Sequence, residues 1–380
     1  GARCRAKDPD RAEHWLNIMI RENVEADAVS YTTAIDACTR AGETLRAEGW
    51  LIAMEKSGLQ PNLKIYGTLI HAIVKLGDIP RIERLIERMH AMKVEASNSM
   101  YNVLISVCAK RGDTERAERW LNIMLERGIE ADVVSYSTVI HACAKSSQLS
   151  RAELWLARMQ EAGVEGNSVT YNSLINACAR AGEPNRAEAW LAKMEDAGLS
   201  PGVLTYNSVI NSCAKAGDAS RAEQWLSRMQ MRGVKPDTVS YSTVIHACVK
   251  SHELLRCEHW LMEMRANGEP PTVFCYDSVI QACAHAGHIP KAEYWLTEAL
   301  EVTNEVSAST FSSLITRCIR AGELEKAESW LGKMAIRGLA SSAAYQSVAA
   351  AWMKQGNTAR ATRMMEHSKV RQTLEYAAQR

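Results

Sequence analysis

Nowhere in this chain does an unbroken apolar run reach about 18 residues, so no segment can cross a bilayer as a helix. Net charge is also missing: 45 basic residues stand against 44 acidic ones, a balance of +1. That excludes a uniformly basic protein, and any nucleic-acid contact must come from local patterning. No Gly-x-x-x-x-Gly-Lys-Ser/Thr loop, no Gly-x-Gly-x-x-Gly and no His-Glu-x-x-His occurs. The common phosphate-loop, dinucleotide and zinc-hydrolase sites are therefore not expected. The 11 cysteines never form a Cys-x-x-Cys pair, which argues against structural zinc. We expect no enzyme activity, no metal and no cofactor. His71, His141 and His246 share one position of the repeat described next, but in copies too far apart to share an ion.

What is present is a period of 35. An aromatic stands at Tyr31, Tyr66, Tyr101, Tyr136, Tyr171, Tyr206, Tyr241, Tyr276 and Phe311, with no insertion or deletion between them. Ala12, Ala47, Ala117, Ala152, Ala187, Ala222, Ala292 and Ala327 keep the same spacing, and a tryptophan follows three residues after most of them. Such a chain is a repeat array, because one copy cannot bury its apolar face without stacking on the next. Within a copy, Tyr171, Leu174, Ile175 and Cys178 fall at i, i+3, i+4 and i+7, and Ala187, Trp190, Leu191 and Met194 repeat that pattern. Each copy thus predicts two amphipathic helices. Gly182 marks the turn between them, and Gly198 followed by Pro201 the end of the second. The Trp and Met columns read as core packing. Cys38, Cys108, Cys143, Cys178, Cys213, Cys248, Cys283 and Cys318 occupy one column, too far apart on stacked helices for disulfides, and read as small buried hydrophobes.

The first helix has a second stripe. Opposite the core of the copy at Ser168 lie Val169, Asn172, Asn176 and Arg180. The last of these is a cation in nine of ten copies: Arg40, Lys75, Lys110, Lys145, Arg180, Lys215, Lys250, Arg320 and Lys354, with His285 as the tenth. A row of cations at regular rise suits a phosphate backbone. The first is aliphatic at Val29, Val134, Val169, Leu204 and Val239, as the sandwiching of a planar base requires. The second is a short residue able to read a base edge: Thr32, Gly67, Asn102, Ser137, Asn172, Asn207, Ser242, Asp277 and Ser312. Just before each next first helix stand Asn62, Ser97, Asp132, Asn167, Gly202, Asp237, Thr272 and Ser307, which also suit helix caps.

The copies VTYNSLINACARAGEPNRAEAWLAKMEDAGLSPG and TVSYSTVIHACVK resemble the pentatricopeptide repeat family, and the likeness runs through nearly the whole chain. Tetratricopeptide arrays, with a period of 34, are the nearest competitor. The resemblance implies an all-α, right-handed superhelical solenoid of about ten motifs. Its first helices would line a groove for single-stranded RNA, one repeat per base, in a mitochondrion or chloroplast. Carried over, the family's pairing rule assigns A to Thr32 with Asn62, U to Asn102 with Asp132, A to Ser137 with Asn167, a pyrimidine to Asn172 with Gly202, and U to Asn207 with Asp237. The implied register is 5′-AnUAYU-3′. Gly67 with Ser97, Ser242 with Thr272, and Asp277 with Ser307 depart from the rule, and no base is assigned there or at Ser312.

Lys64, Ser99, Ser309 and Ala343 replace the sandwiching aliphatic, and Phe274 puts a ring there. Such erosion also fits an array recruited as a protein-binding scaffold in an organellar ribonucleoprotein, which is the alternative function. Relatives that edit cytidines carry a His-x-Glu and Cys-x-x-Cys deaminase, which this sequence lacks. By alignment, residues 1–27 read as the tail of a truncated repeat, 28–356 as the array, and 357–380 as the last repeat helix plus a capping helix. Since the first residue is Gly1 and no signal or transit segment precedes the repeats, we expect the sequence to begin inside a longer protein.

Overall fold

The computed structural model describes residues 8–22, 24–303 and 305–378, and every regular element among them is an α-helix. The expected first-helix tail at the N-terminus falls largely on residues 1–7, outside the described residues. The chain forms two compact units, Gly1–Ala177 and Cys178–Arg380, built from one kind of hairpin. In the first unit the helix Pro9–Arg21 is followed by first helices Ala28–Ala41, Leu63–Val74, Asn98–Lys110 and Val133–Lys145, each leading into a second helix, as Val133–Lys145 leads into Leu149–Glu161. The second unit repeats the pattern from Val203–Lys215 with Ala219–Met231 to Ser342–Lys354 with Thr358–Ala378. The helix Ser168–Ala181 runs across the division.

One expectation is corrected at the C-terminal end. Among the described residues, 357–378 hold no separate capping helix after the repeat helix; a single helix runs from Thr358 to Ala378. No glycine or proline interrupts that stretch, so nothing breaks the hydrogen-bond ladder where a turn was expected.

Packing follows the columns. In several copies the buried aromatic of the first helix lies against the tryptophan of its second helix, with ring centroids 6.2 Å apart for Tyr101 and Trp120 and 6.5 Å for Tyr276 and Trp295. Ala47, Ala117 and Ala222 are fully buried, and their small side chains let the two helices approach. The cysteine column is buried too, with no disulfide among the described residues, and burial pushes Cys108 and Cys283 up to about 12, which keeps them protonated and unreactive.

The tryptophans do more than pack. Trp155 Nε1 donates to Glu118 Oε1 at 2.9 Å, and Arg151 Nε and Cys143 Sγ reach the same carboxylate at 3.1 and 3.2 Å. These three donors belong to the copy after the one that carries Glu118. The arrangement recurs at Glu13 in the same unit and at Glu223 in the other, where Trp260, Arg256 and Cys248 converge. Burial pushes the Glu223 carboxyl up, but the hydrogen bonds from Arg256, Trp260 and Cys248 outweigh it and hold it below the ordinary carboxylate range. Each of these three joints is therefore an ion pair with an indole lock. The sequence signal was an Arg-Ala-Glu-x-Trp pattern in successive second helices, which a reading of the tryptophans as packing alone passes over.

At the turn inside the hairpin the chain takes positive φ, +85° at Gly42 and +86° at Gly287. Ser147 and His252 hold the same place with φ of +60° and +59°, where a Cβ is strained. Ser147→Gly and His252→Gly are each expected to stabilise the protein by about 0.5–1 kcal/mol, the relief of strain being partly offset by glycine's freedom when unfolded. Urea unfolding that gives equal or lower stability for both variants would refute this.

Candidate nucleic-acid interface

The second stripe is a surface. Val29, Val134 and Val169 in the first unit are more than half exposed, as are Leu204, Val239 and Phe274 in the second. They sit at the second position of their helices, where the chain has just left its N-cap, and their branched side chains have no core to enter. The cations close the same helices in the last turn, where the helix dipole favours positive charge. The dipole explains their height on the helix but not their shared face.

A contrast separates these cations from the rest. The second-helix residues Arg81, Arg151, Arg221, Arg256 and Lys291 are all ion-paired to a glutamate of the preceding copy. Among the described residues no carboxylate lies in ion-pair range of Arg40, Lys75 or Lys110 in the first unit, nor of Lys215, Lys250 or Arg320 in the second. Lys215 Nζ donates to the Arg180 carbonyl, at 3.2 Å. Lys145 and Arg180 are also exposed on this face and have further partners.

Two of the expected base-reading pairs are brought together. Asn102 Nδ2 donates to Asp132 Oδ1 at 3.1 Å, and Asn207 Nδ2 to Asp237 Oδ1 at 3.0 Å. Both aspartates are N-caps whose Oδ1 accepts the backbone N–H three residues on, from Ser135 and Ser240, at 2.9 Å. Burial pushes the two carboxyls up, yet hydrogen bonds from the serine backbone N–H groups, the serine hydroxyls and the asparagine amides outweigh it and hold them low. Each is a carboxylate at neutral pH and can only accept. The asparagine must therefore turn its amino group to the aspartate and its oxygen away. That oxygen accepts from a buried hydroxyl, Ser135 Oγ at 2.6 Å for Asn102 and Ser240 Oγ at 2.5 Å for Asn207.

The two sites differ in one respect. Asn102 Nδ2 also donates to Asn98 Oδ1 at 2.6 Å, so both its N–H groups are engaged. Asn207 has Val203 in the place of Asn98, and its second N–H is without a partner among the described residues. Neither Asn98 nor the two serines was singled out by sequence; a serine three residues after a cap reads only as a capping box.

The hydroxyl readers behave otherwise. Thr32 Oγ1 donates to the Ala28 carbonyl at 2.6 Å, and Ser242 and Ser312 make the same bond to Thr238 and Ala308. Their oxygens keep lone pairs for a donor on a base. Ser137 is buried rather than presented, although it was expected on the reading face. No hydrogen bond joins Thr32 to Asn62, Ser137 to Asn167 or Ser242 to Thr272 among the described residues; Asn62, Asn167 and Thr272 are N-caps. Asn172 and Gly202 belong to different units. At Gly67 the reading position is empty of side chain, and Met100 Cε stands 3.1 Å from where a Cβ would be.

The parts meet in grooves within each unit. One of about 660 Å³ in the first unit is lined by His71, Ser99, Asn102, Lys110, Asp132 and Val134. Another, about 250 Å³, lies in the second unit against Lys215, Ser242, His246, Lys250 and Phe274. There the His246 and Phe274 rings are 5.6 Å apart, and burial, with Lys250, holds the imidazole below its ordinary value.

Fold and face together define a class: a helical-repeat protein whose first helices, in each unit, present short polar side chains, exposed apolar side chains and cations. Sequence profiles described as the PPR repeat family match residues 96–145, 131–180, 166–215 and 201–250. Those of the pentatricopeptide repeat domain match 16–76 and 51–111, and those of the PPR repeat match 239–269 and 309–339. The chain belongs to the pentatricopeptide repeat family. No curated protein matches it. Among solved structures it is similar to the pentatricopeptide repeat protein PPR10 in complex with an 18-nt psaJ RNA element, at 22% identity over 94% of this chain and 57% of that one, with a TM-score of 0.47. PPR10 from maize gives 19% identity over 94% of this chain and 70% of that chain, with a TM-score of 0.33. The PPR domain of Arabidopsis thaliana protein-only RNase P 1 in complex with tRNA gives 18% identity over 47% of this chain and 94% of that one, with a TM-score of 0.43. The chain thus spans a little over half the length of the first of these.

Proposed function

We propose that this protein is a sequence-selective binder of single-stranded RNA, not an enzyme, reading one base per repeat. It would act in the processing, stability or translation of a transcript in a mitochondrion or chloroplast, the setting common in its family. The observation that carries the reading is the Asn207 site: an amide fixed by Asp237 and Ser240, one N–H left over, exposed Leu204 and Val239 to either side in successive repeats, and an ion-unpaired lysine at Lys215. A base slipped between the aliphatics would meet an oriented donor, and its phosphate a cation.

The test is fluorescence anisotropy with a labelled strand containing AnUAYU, a scrambled strand and a duplex, over a salt series. Tight binding to the first alone is expected. With about five phosphate contacts on a single strand, the slope of log K against log salt should be roughly −3.5, a loss of about a hundredfold between 50 and 200 mM. Equal or negligible binding to all three would overturn the proposal and leave a protein-binding scaffold as the better account.

A further inference from the structure

Six residues after the aromatic, the first helices carry a small side chain, buried or half-buried: Ala37, Ala72, Ala142, Ala177, Ala247, Ala282 and Ala351, with Val107 and Ser212 as the larger members. Arg317 breaks this column. Its guanidinium extends onto the turn of the preceding copy, so close that a Cβ on Gly287 would stand 2.3 Å from Nη2. Its Nε is buried and has no hydrogen-bond partner, and no carboxylate pairs with it among the described residues. Arg317 is half-buried, and a buried N–H in that condition is unfavourable unless an acceptor completes it. The surroundings supply no anion. Arg317 lines a pocket of about 240 Å³ with His285, Arg320, Ser312, Ser313 and Thr316, and no acidic residue borders it. The Ser312 and Ser313 hydroxyls donate to the Ala308 and Ser309 carbonyls, which leaves the two guanidinium groups, the imidazole and the Thr316 hydroxyl as the donors facing the space.

We infer that His285, Arg317 and Arg320 form a pocket for a phosphoryl group. Two forked donors converging on a small, acid-free volume match the spread oxygens of a phosphoryl better than they match a single lone pair. The source is either a phosphate within a bound strand, which rests on the proposed RNA reading, or a free phosphate, which does not. This part of the array has unassigned base readers at Asp277 and Ser312, and there it holds the backbone rather than a base.

Arg317→Ala decides the matter, since alanine fills most of that column and the variant should melt no lower than the parent. With an AnUAYU strand extended at its 3′ end by six nucleotides, R317A is expected to bind about tenfold more weakly, with a salt slope smaller by about 0.7 and unchanged preference at the Asn207 base. Inorganic phosphate is the second probe. At millimolar concentration it should raise the melting temperature of the parent and not that of R317A, whether or not RNA binds. A strand effect without a phosphate effect assigns the pocket to the strand backbone, and a phosphate effect in a parent that binds no RNA assigns it to free phosphate. If R317A equals the parent with both probes, the pocket is not a phosphoryl site.

Discussion

Glu118→Ala should destabilise the first unit by about 3 kcal/mol. Glu118 is 9% exposed, and its carboxylate takes hydrogen bonds from Trp155, Arg151 and Cys143 of the following copy. Truncation leaves an indole N–H and a guanidinium facing the joint without an acceptor. A buried donor so orphaned costs about 1–3 kcal/mol, and breaking a buried ion pair about 3–5 kcal/mol. Arg151 is 39% exposed and can turn to water, which places the sum at the lower end. Glu118→Gln keeps an oxygen for the indole and should cost about half as much. Because a solenoid's stability is a sum of copy and joint terms, the loss should also split the urea transition, part of the array unfolding early. A single transition within about 0.5 kcal/mol of the parent would show that the joint is held by packing alone.

The second large effect is on recognition. Asn207→Ser should reverse preference at the sixth base from U towards a purine, with a change in discrimination of about 1–3 kcal/mol, or roughly five- to 150-fold. Serine is too short to reach Asp237, and like Ser242 it would donate to its own helix and offer a lone pair instead of an N–H. Lys215→Ala, eight residues on, should weaken every strand alike by about three- to tenfold and reduce the salt slope by about 0.7. Competition binding with strands varied at that base separates the two. If both variants weaken all strands equally, Asn207 does not read a base.

Much of this was legible in the sequence. The 35-residue columns predict two helices per copy, a glycine turn between them and a face that cannot be core, because periodicity reports which side chains share an environment. It does not report which polar groups meet. Ser240 stands 33 residues from Asn207 yet is its nearest anchor, and Asn98 blocks at Asn102 the N–H that Val203 leaves open at Asn207. Ser137 has the residue type of a reader and is buried, whereas Asn172 and Asn207 in the same column are half-buried, so the column alone does not set exposure. Ser147 and His252 occupy a glycine place because the turn, once fixed by the packed helices on both sides, imposes its φ on whatever residue is there. Arg317 was visible as an oddity in an alanine column, but its lack of a counter-ion is a fact of three dimensions.

The glutamate joint has a consequence for how such a chain can change. The couplings at Glu118 and Glu223 join two adjacent copies with the same few side chains at the same separations, 33 residues from arginine to glutamate and 37 from tryptophan to glutamate, one in each unit. A copy excised or duplicated as a whole would meet its new neighbour with the matching half of the coupling already in place. Duplication, deletion and shuffling of entire copies are thereby tolerated, while a single inserted residue is not, and the order of the reading residues can be rewritten without touching the core.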